Sequence, residues 1–204
     1  MLSASAGQLA FVAGHGRLPA GEKHPVNNSG AVTAEQAAVR PKILLTLGGG
    51  GHLAQALGLA EQLTGHADLY FVTASDSVIP GHPAVVADRV HRVSGVGGFS
   101  GSGVNSGPRR ALLLAATFFE SLRAVRAVQP HMVVGVATGM SLPLLLAARM
   151  LGKQTAFVES ITRISSRTRT GRLLSVTGIA HDIYVQWPDA EKLYRRAKYA
   201  GQTL

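Results

Sequence analysis

The chain has 204 residues, 46% of them hydrophobic and 15% charged, enough apolar content for a packed core and too little charge for a disordered chain. Twenty Lys and Arg against 11 Asp and Glu leave a net charge of +9, which suits anionic partners such as a membrane surface or phosphorylated ligands. No cysteine is present, so disulfides and thiolate metal sites are excluded. The longest apolar run, 111–119, is about half the ~18 residues of a membrane span, and the N-terminus lacks a signal-peptide pattern.

Residues 1–40 are rich in Gly, Ala, Ser, Asn and Pro without sustained periodicity and are expected to form a flexible leader. One domain is then expected over 41–204, in line with ~100–200 residues per domain. The run KILLTL, 42–47, is continuously apolar and bounded by glycine, as a parallel strand buried on both faces should be. A helix follows over 54–63, and DLYFVTA, 68–74, is a second strand. Residues 84–93 hold a short edge strand, and the Gly- and Ser-rich stretch 94–108 reads as a mobile loop. A helix over 109–128 stops before Pro130. Beyond it the pattern alternates: strand 131–137, helix 142–151, strand 155–159, short helix 171–177, strand 182–187 and a final helix 189–197. Such alternation predicts α/β architecture, a single Rossmann-like doubly wound parallel sheet whose ligands sit beyond the C-terminal ends of the strands.

The stretch GGGGHLAQAL lies at that edge. Gly48, Gly49, Gly50 and Gly51 would bring bare backbone N–H groups and a helix N-terminus to one spot, which suits a phosphate or diphosphate. No Lys follows as a P-loop requires. Gly49, Gly51 and Ala54 meet the looser dinucleotide fingerprint, but the acidic residue expected at the end of the second strand arrives only at Asp76, beyond it. His52 borders the same spot as a candidate general base, or caps and packs the helix start. Glu159, ending an apolar strand, either binds a substrate hydroxyl or pairs with Arg163. The eight histidines are scattered, and no metal is expected.

The helix beginning RRALLLAATFFESLRAVRAV is apolar nearly all round in its first half. Leu113, Phe118 and Phe119 between Arg109, Arg110, Arg123 and Arg126 suit an interfacial helix on anionic lipid, or a helix buried against a partner. No nucleic-acid recognition motif or interleaved aromatic pattern appears.

The segments LLTLGGGGHLAQALGLAEQL, QPHMVVGVATGMSLPLLLAARMLGKQTAFVESITRI and GRLLSVTGIAHDIYVQWPDAEKLY together resemble a known family. It is the membrane-associated subunit of the two-part N-acetylglucosaminyltransferase of dolichol-linked oligosaccharide, with bacterial relatives in exopolysaccharide and capsule assembly. More distantly, the chain is similar to the N-terminal half of the peptidoglycan lipid II glycosyltransferase. VES followed by Arg163, then YVQWP, is the most specific part.

The resemblance implies one half of a GT-B glycosyltransferase that binds the acceptor and recruits the complex to a membrane. A separate donor-binding subunit would carry the UDP-sugar. The acceptor would be a polyprenyl-diphosphate-linked saccharide, transferred to with inversion and without metal or other cofactor. By the same resemblance Thr138, Gly139, Met140 and Ser141 form a second cleft loop, Ser160 and Arg163 line the opening, and His52 or Glu159 is the base. The segment 199–204 would help dock the partner, and the complex would sit peripherally on the cytoplasmic face of the inner membrane. A self-sufficient nucleotide-binding α/β enzyme and a non-catalytic membrane scaffold are the competing readings.

Overall fold

Lys42–Leu47 forms β1 because its unbroken apolar run serves two cores at once. Ile43, Leu45 and Leu47 enter one, while Leu44 enters the other. The computed structural model describes residues 40–79, 81–95 and 108–203. The expected leader, apart from Arg40, and the expected loop between Gly95 and Pro108 lie outside them.

Strands β2 (Asp68–Ala74), β3 (Val90–Val93), β4 (Met132–Val136), β5 (Gln154–Val158), β6 (Asp182–Val185) and β7 (Ala197–Tyr199) complete a seven-stranded sheet in the order β3-β2-β1-β4-β5-β6-β7. Every pairing is parallel. The order reverses between β1 and β4, which makes that boundary the topological switch point where such sheets bind ligands.

Helix α1 (Gly51–Leu63) packs on one face through Ala56, Leu59, Ala60 and Leu63. Helices α2 (Pro108–Val128), α3 (Ser141–Met150) and α4 (Arg169–Thr177) join the other core through Ala124, Val125 and Val128, through Leu144, Leu145 and Ala148, and through Leu174. Alternation along β4 explains the division: Met132, Val134 and Val136 face α1, while Val133 faces the second core.

Three expectations require correction. Helix α1 begins at Gly51 instead of residue 54, so His52 stands within its first turn. The expected strand over 182–187 ends at Val185, because Gln186 and Trp187 turn to bond other segments: Gln186 Nε2 donates to Thr203 Oγ1 at 3.2 Å, and Trp187 Nε1 donates to the Ile161 carbonyl at 2.7 Å. The expected helix over 189–197 is a 3₁₀ helix, Pro188–Leu193, followed by a strand that the sequence reading did not include. Arg196 has φ 62°, a left-handed residue that precludes helical continuation, and the chain extends alongside β6 instead.

Candidate active site

A cleft of about 790 Å³ opens at the C-terminal edge of the sheet. Four turns build it: the glycine turn after β1, the end of β2, the turn between β4 and α3, and the long segment from β5 to α4. Expected site residues Gly48, Gly49, His52, Thr138, Gly139, Met140, Ser160 and Arg163 all line it. Gly50 and Gly51 are exposed and lie outside the lining.

The glycine turn is shaped by what its residues lack. Gly50 has φ 59° and caps α1, a conformation that would strain any residue with a Cβ. A Cβ on Gly48 would stand 2.9 Å from Thr138 Cγ2 and 3.1 Å from His52 Cβ. The bare backbone there lets the two cleft turns close against each other. No side chain caps α1 and no acidic residue occupies its first turn. Its first N–H groups and the positive end of its dipole are therefore available to an anion.

The β4 turn is held differently. Ala137 adopts φ 50°, left-handed without being glycine, and Met140 N–H donates to Thr138 Oγ1 at 3.0 Å. Ser141, expected as a cleft residue, is fully buried, with its hydroxyl 3.4 Å from Thr46 Oγ1. Thr46 Oγ1 accepts from Val136 N–H at 2.8 Å. Ser141 thus anchors α3 to the sheet, since a side chain in the first turn of a helix points to one face only and here that face is the core.

Glu159 sits apart from the cleft lining and is only 1% exposed. Its Oε1 accepts from Ser160 N–H at 2.8 Å, and its Oε2 accepts from Thr168 Oγ1 at 2.9 Å and from the Tyr194 hydroxyl. Burial and then the neighbouring Glu159 push the Tyr194 phenol above its ordinary range. The carboxylate is a tie within the wall: it does not pair with Arg163, whose guanidinium reaches Ser166 Oγ at 3.3 Å. Gln55 reinforces the same turn from α1, donating to the Glu159 carbonyl at 2.7 Å. Gly171 leaves room for the tie, since a Cβ there would stand 2.6 Å from Glu159 Oε2.

The cleft also includes residues that were not expected in it from the sequence: Asp76, Ser77, Thr162, Arg167, Thr168, Arg169 and Thr170. Asp76 was read as too far past β2, yet the turn brings it back to the rim. Among the described residues no group of three or more His, Asp or Glu stands close enough to hold a metal.

On α2, Leu112 is 71% and Phe119 59% exposed, while Leu113 and Phe118 are half-buried and Arg123 and Arg126 are exposed. The side chains of Arg109 and Arg110 lie outside the described residues. Helix α2 meets the core mainly through its C-terminal half. Beside it, α3 exposes Met150 by 67%. No described helix is long and apolar enough to cross a membrane.

Residues 106–203 match the family described as "Oligosaccharide biosynthesis protein Alg14 like". The chain is 33% identical over 110 residues to the UDP-N-acetylglucosamine transferase subunit ALG14 of Eremothecium gossypii, a match covering 50% of this chain and 48% of that protein. To the ALG14 of Yarrowia lipolytica it is 25% identical over 182 residues, covering 79% of this chain and 80% of that one. It is also 30% identical over 155 residues to the UDP-N-acetylglucosamine–N-acetylmuramyl-(pentapeptide) pyrophosphoryl-undecaprenol N-acetylglucosamine transferase of Chlorobium luteolum, covering 72% of this chain but 41% of that enzyme. Thus the chain spans about half of the first relative and less than half of the third. Among solved structures, MurG of Acinetobacter baumannii superimposes with TM-score 0.55 at 19% identity, over 79% of this chain and 44% of that one, a likeness of fold. Over residues 106–203 the chain is accordingly similar to the Alg14-like family, and its Rossmann-like sheet shares the fold of about half of MurG.

Proposed function

We propose that this chain is the acceptor-binding subunit of a two-component, UDP-sugar-dependent glycosyltransferase acting on a polyprenyl-diphosphate-linked saccharide in polysaccharide assembly. The observation that carries the reading is the glycine turn, whose uncapped helix start and His52 share one cleft at the switch point. The diphosphate rests against the turn around Gly49, and the acceptor hydroxyl approaches His52. The neutral imidazole takes the hydroxyl proton as the oxygen attacks the anomeric carbon of the donor. The bond from that carbon to the UDP phosphate breaks with its electron pair leaving on UDP, so the configuration inverts. A positioned base of this kind is worth ~10²–10⁴ in rate.

Glu159, the other candidate base, acts in this scheme as a positioning residue, because its lone pairs already serve Ser160, Thr168 and Tyr194. The donor half comes from a separate subunit. The similarity to ALG14, a UDP-N-acetylglucosamine transferase subunit, supports that division and makes UDP-N-acetylglucosamine the first donor to try. Attachment is peripheral, on the cytoplasmic face of the inner membrane, through the exposed apolar and basic residues of α2 pressed into anionic lipid. The scheme uses no metal or cofactor, so a chelator should leave transfer unchanged.

The test is transfer of labelled sugar to a prenyl-diphosphate saccharide in anionic vesicles, by this chain, by its donor-binding partner and by both. Only the mixture should turn over. One observation favours a second reading, a self-sufficient nucleotide enzyme: Asp76 reaches the cleft near the place where Rossmann folds hold a ribose. Calorimetry of the chain alone with UDP and NAD separates the two, since the subunit reading expects no tight binding of either.

A further inference from the structure

Arg163, Arg167 and Arg169 stand together on the β5–α4 wall of the cleft, and none of them forms an ion pair with a carboxylate among the described residues. Among the described residues the only acidic side chain lining the cleft is Asp76, so three guanidiniums stand there against one carboxylate, an excess of two positive charges. The placement also opposes a local rule. Arg169 is the first residue of α4, where the helix dipole favours an anion, and α4 has no acid in its first turn. Thr168, the cap between Arg167 and Arg169, is locked by Gly171 N–H at 2.9 Å and by Glu159. The wall therefore presents two like charges from a fixed turn. Local choices that work against stability are expected where a ligand supplies the compensating charge.

This charge is displaced from the glycine turn. That turn ends β1 and the arginine wall follows β5, with β4 between them, so the two bases stand about 10 Å apart at ~4.8 Å per strand. The glycine turn and α1 N-terminus already suffice for one diphosphate. We infer that Arg167 and Arg169 form a second anion subsite that selects an acidic acceptor, gripping a carboxylate or phosphate carried by the saccharide beyond the diphosphate. Guanidinium groups bind either oxyanion in a two-point fashion. The inference rests on the acceptor-binding reading given above and adds the class of sugar.

Calorimetry of the full chain tests it with three farnesyl-diphosphate disaccharides whose outer sugar is glucuronic acid, glucose 6-phosphate or glucose. The expected result is that an acidic acceptor binds tenfold or more tighter than the glucose one, about the effect of one charge-assisted pair. The carboxylate and phosphate arms then name the oxyanion. The R167Q/R169Q variant should bring the ratio of acidic to neutral affinity near one, and R167K/R169K, which keeps the charge but loses the two-point grip, should keep only part of the preference. These side chains are exposed, so both variants should fold. Equal binding of acidic and neutral acceptors, or a preference that survives R167Q/R169Q, overturns the inference and leaves the acceptor reading standing. Binding of none of the three by folded chain overturns both.

Discussion

The two walls of the cleft are preorganised by opposite means. On the β1 side the turn is almost bare: a Cβ added at Gly49, Gly50 or Gly51 would meet nothing within 4 Å, and no side chain caps the helix. On the β5 side the turn is tied from behind, with Gln55, Gln186, Thr168, Trp187 and Tyr194 all bonded to the stretch that begins at Glu159. The difference teaches that open backbone serves a ligand that brings its own charge, whereas a wall carrying cationic side chains must be stiffened from behind. A buried carboxylate at a cleft edge can thus be a brace, and in the proposed scheme the base is the half-buried histidine opposite.

The largest stability effect should come from the brace. Glu159→Ala strands the Thr168 and Tyr194 hydroxyls, and should cost about 3 kcal/mol, lowering Tm by about 6–12 °C in a thermal melt. Glu159→Gln, which keeps the shape and one acceptor, should cost about half as much. Gly171→Ala attacks the same brace from α4, where the new methyl would collide with Glu159 and Tyr194, for a loss of about 2 kcal/mol. The bare wall should respond less: Gly50→Ala costs about 1 kcal/mol through its left-handed φ and leaves the β5 wall intact. If Gly50→Ala proves more disruptive than Glu159→Ala, the contrast between the walls is wrong.

The proposed lipid-borne acceptor extends the comparison to α2. Replacing Leu112 and Phe119 together by Ser should weaken binding to anionic vesicles about tenfold or more in a flotation assay. Arg123→Gln or Arg126→Gln should each remove ~1 kcal/mol at low salt.

Titration gives the smallest effects. The Tyr194 phenol is pushed up, and burial followed by the nearby Asp182 pushes Tyr184 up to about 12. Both stay neutral in the fold while the unfolded chain ionises above ~10, so stability should fall as pH rises from 10 toward 12. Burial and then Arg149 hold His181 below its ordinary value. The unfolded chain therefore takes up that proton first, and stability should decline as pH drops below ~6.5. Tyr194→Phe and His181→Gln should flatten the respective limbs of a Tm-against-pH curve.

The sheet was largely legible from the sequence because its strands are buried on both faces, and a run such as KILLTL has no other efficient home. Its bounds, and those of DLYFVTA, agree with the observed strands. The C-terminal part was not legible, since nothing in PDAEKLYRRAKY announces that Arg196 turns left-handed and lets β7 form. In the cleft, glycine spacing and strand ends pointed to Gly48, Gly49, His52 and Thr138, and the family resemblance pointed to Arg163. Sequence position alone left open whether Glu159 and Ser141 point into solvent or core, and both point inward. Arg167 and Arg169 went unread for a related reason: only the brace from Glu159 to Thr168 shows that their segment returns to the cleft.

The central claim, that the base lies on the glycine wall, is tested most directly by turnover of the reconstituted two-subunit enzyme with His52→Ala beside Glu159→Gln, each with its melting curve. The account predicts that His52→Ala lowers kcat by about 10²–10⁴ with little change in Tm, while Glu159→Gln lowers Tm and reduces kcat far less at a temperature where it stays folded. Near-normal turnover by His52→Ala, with a loss of that size in folded Glu159→Gln, would contradict it.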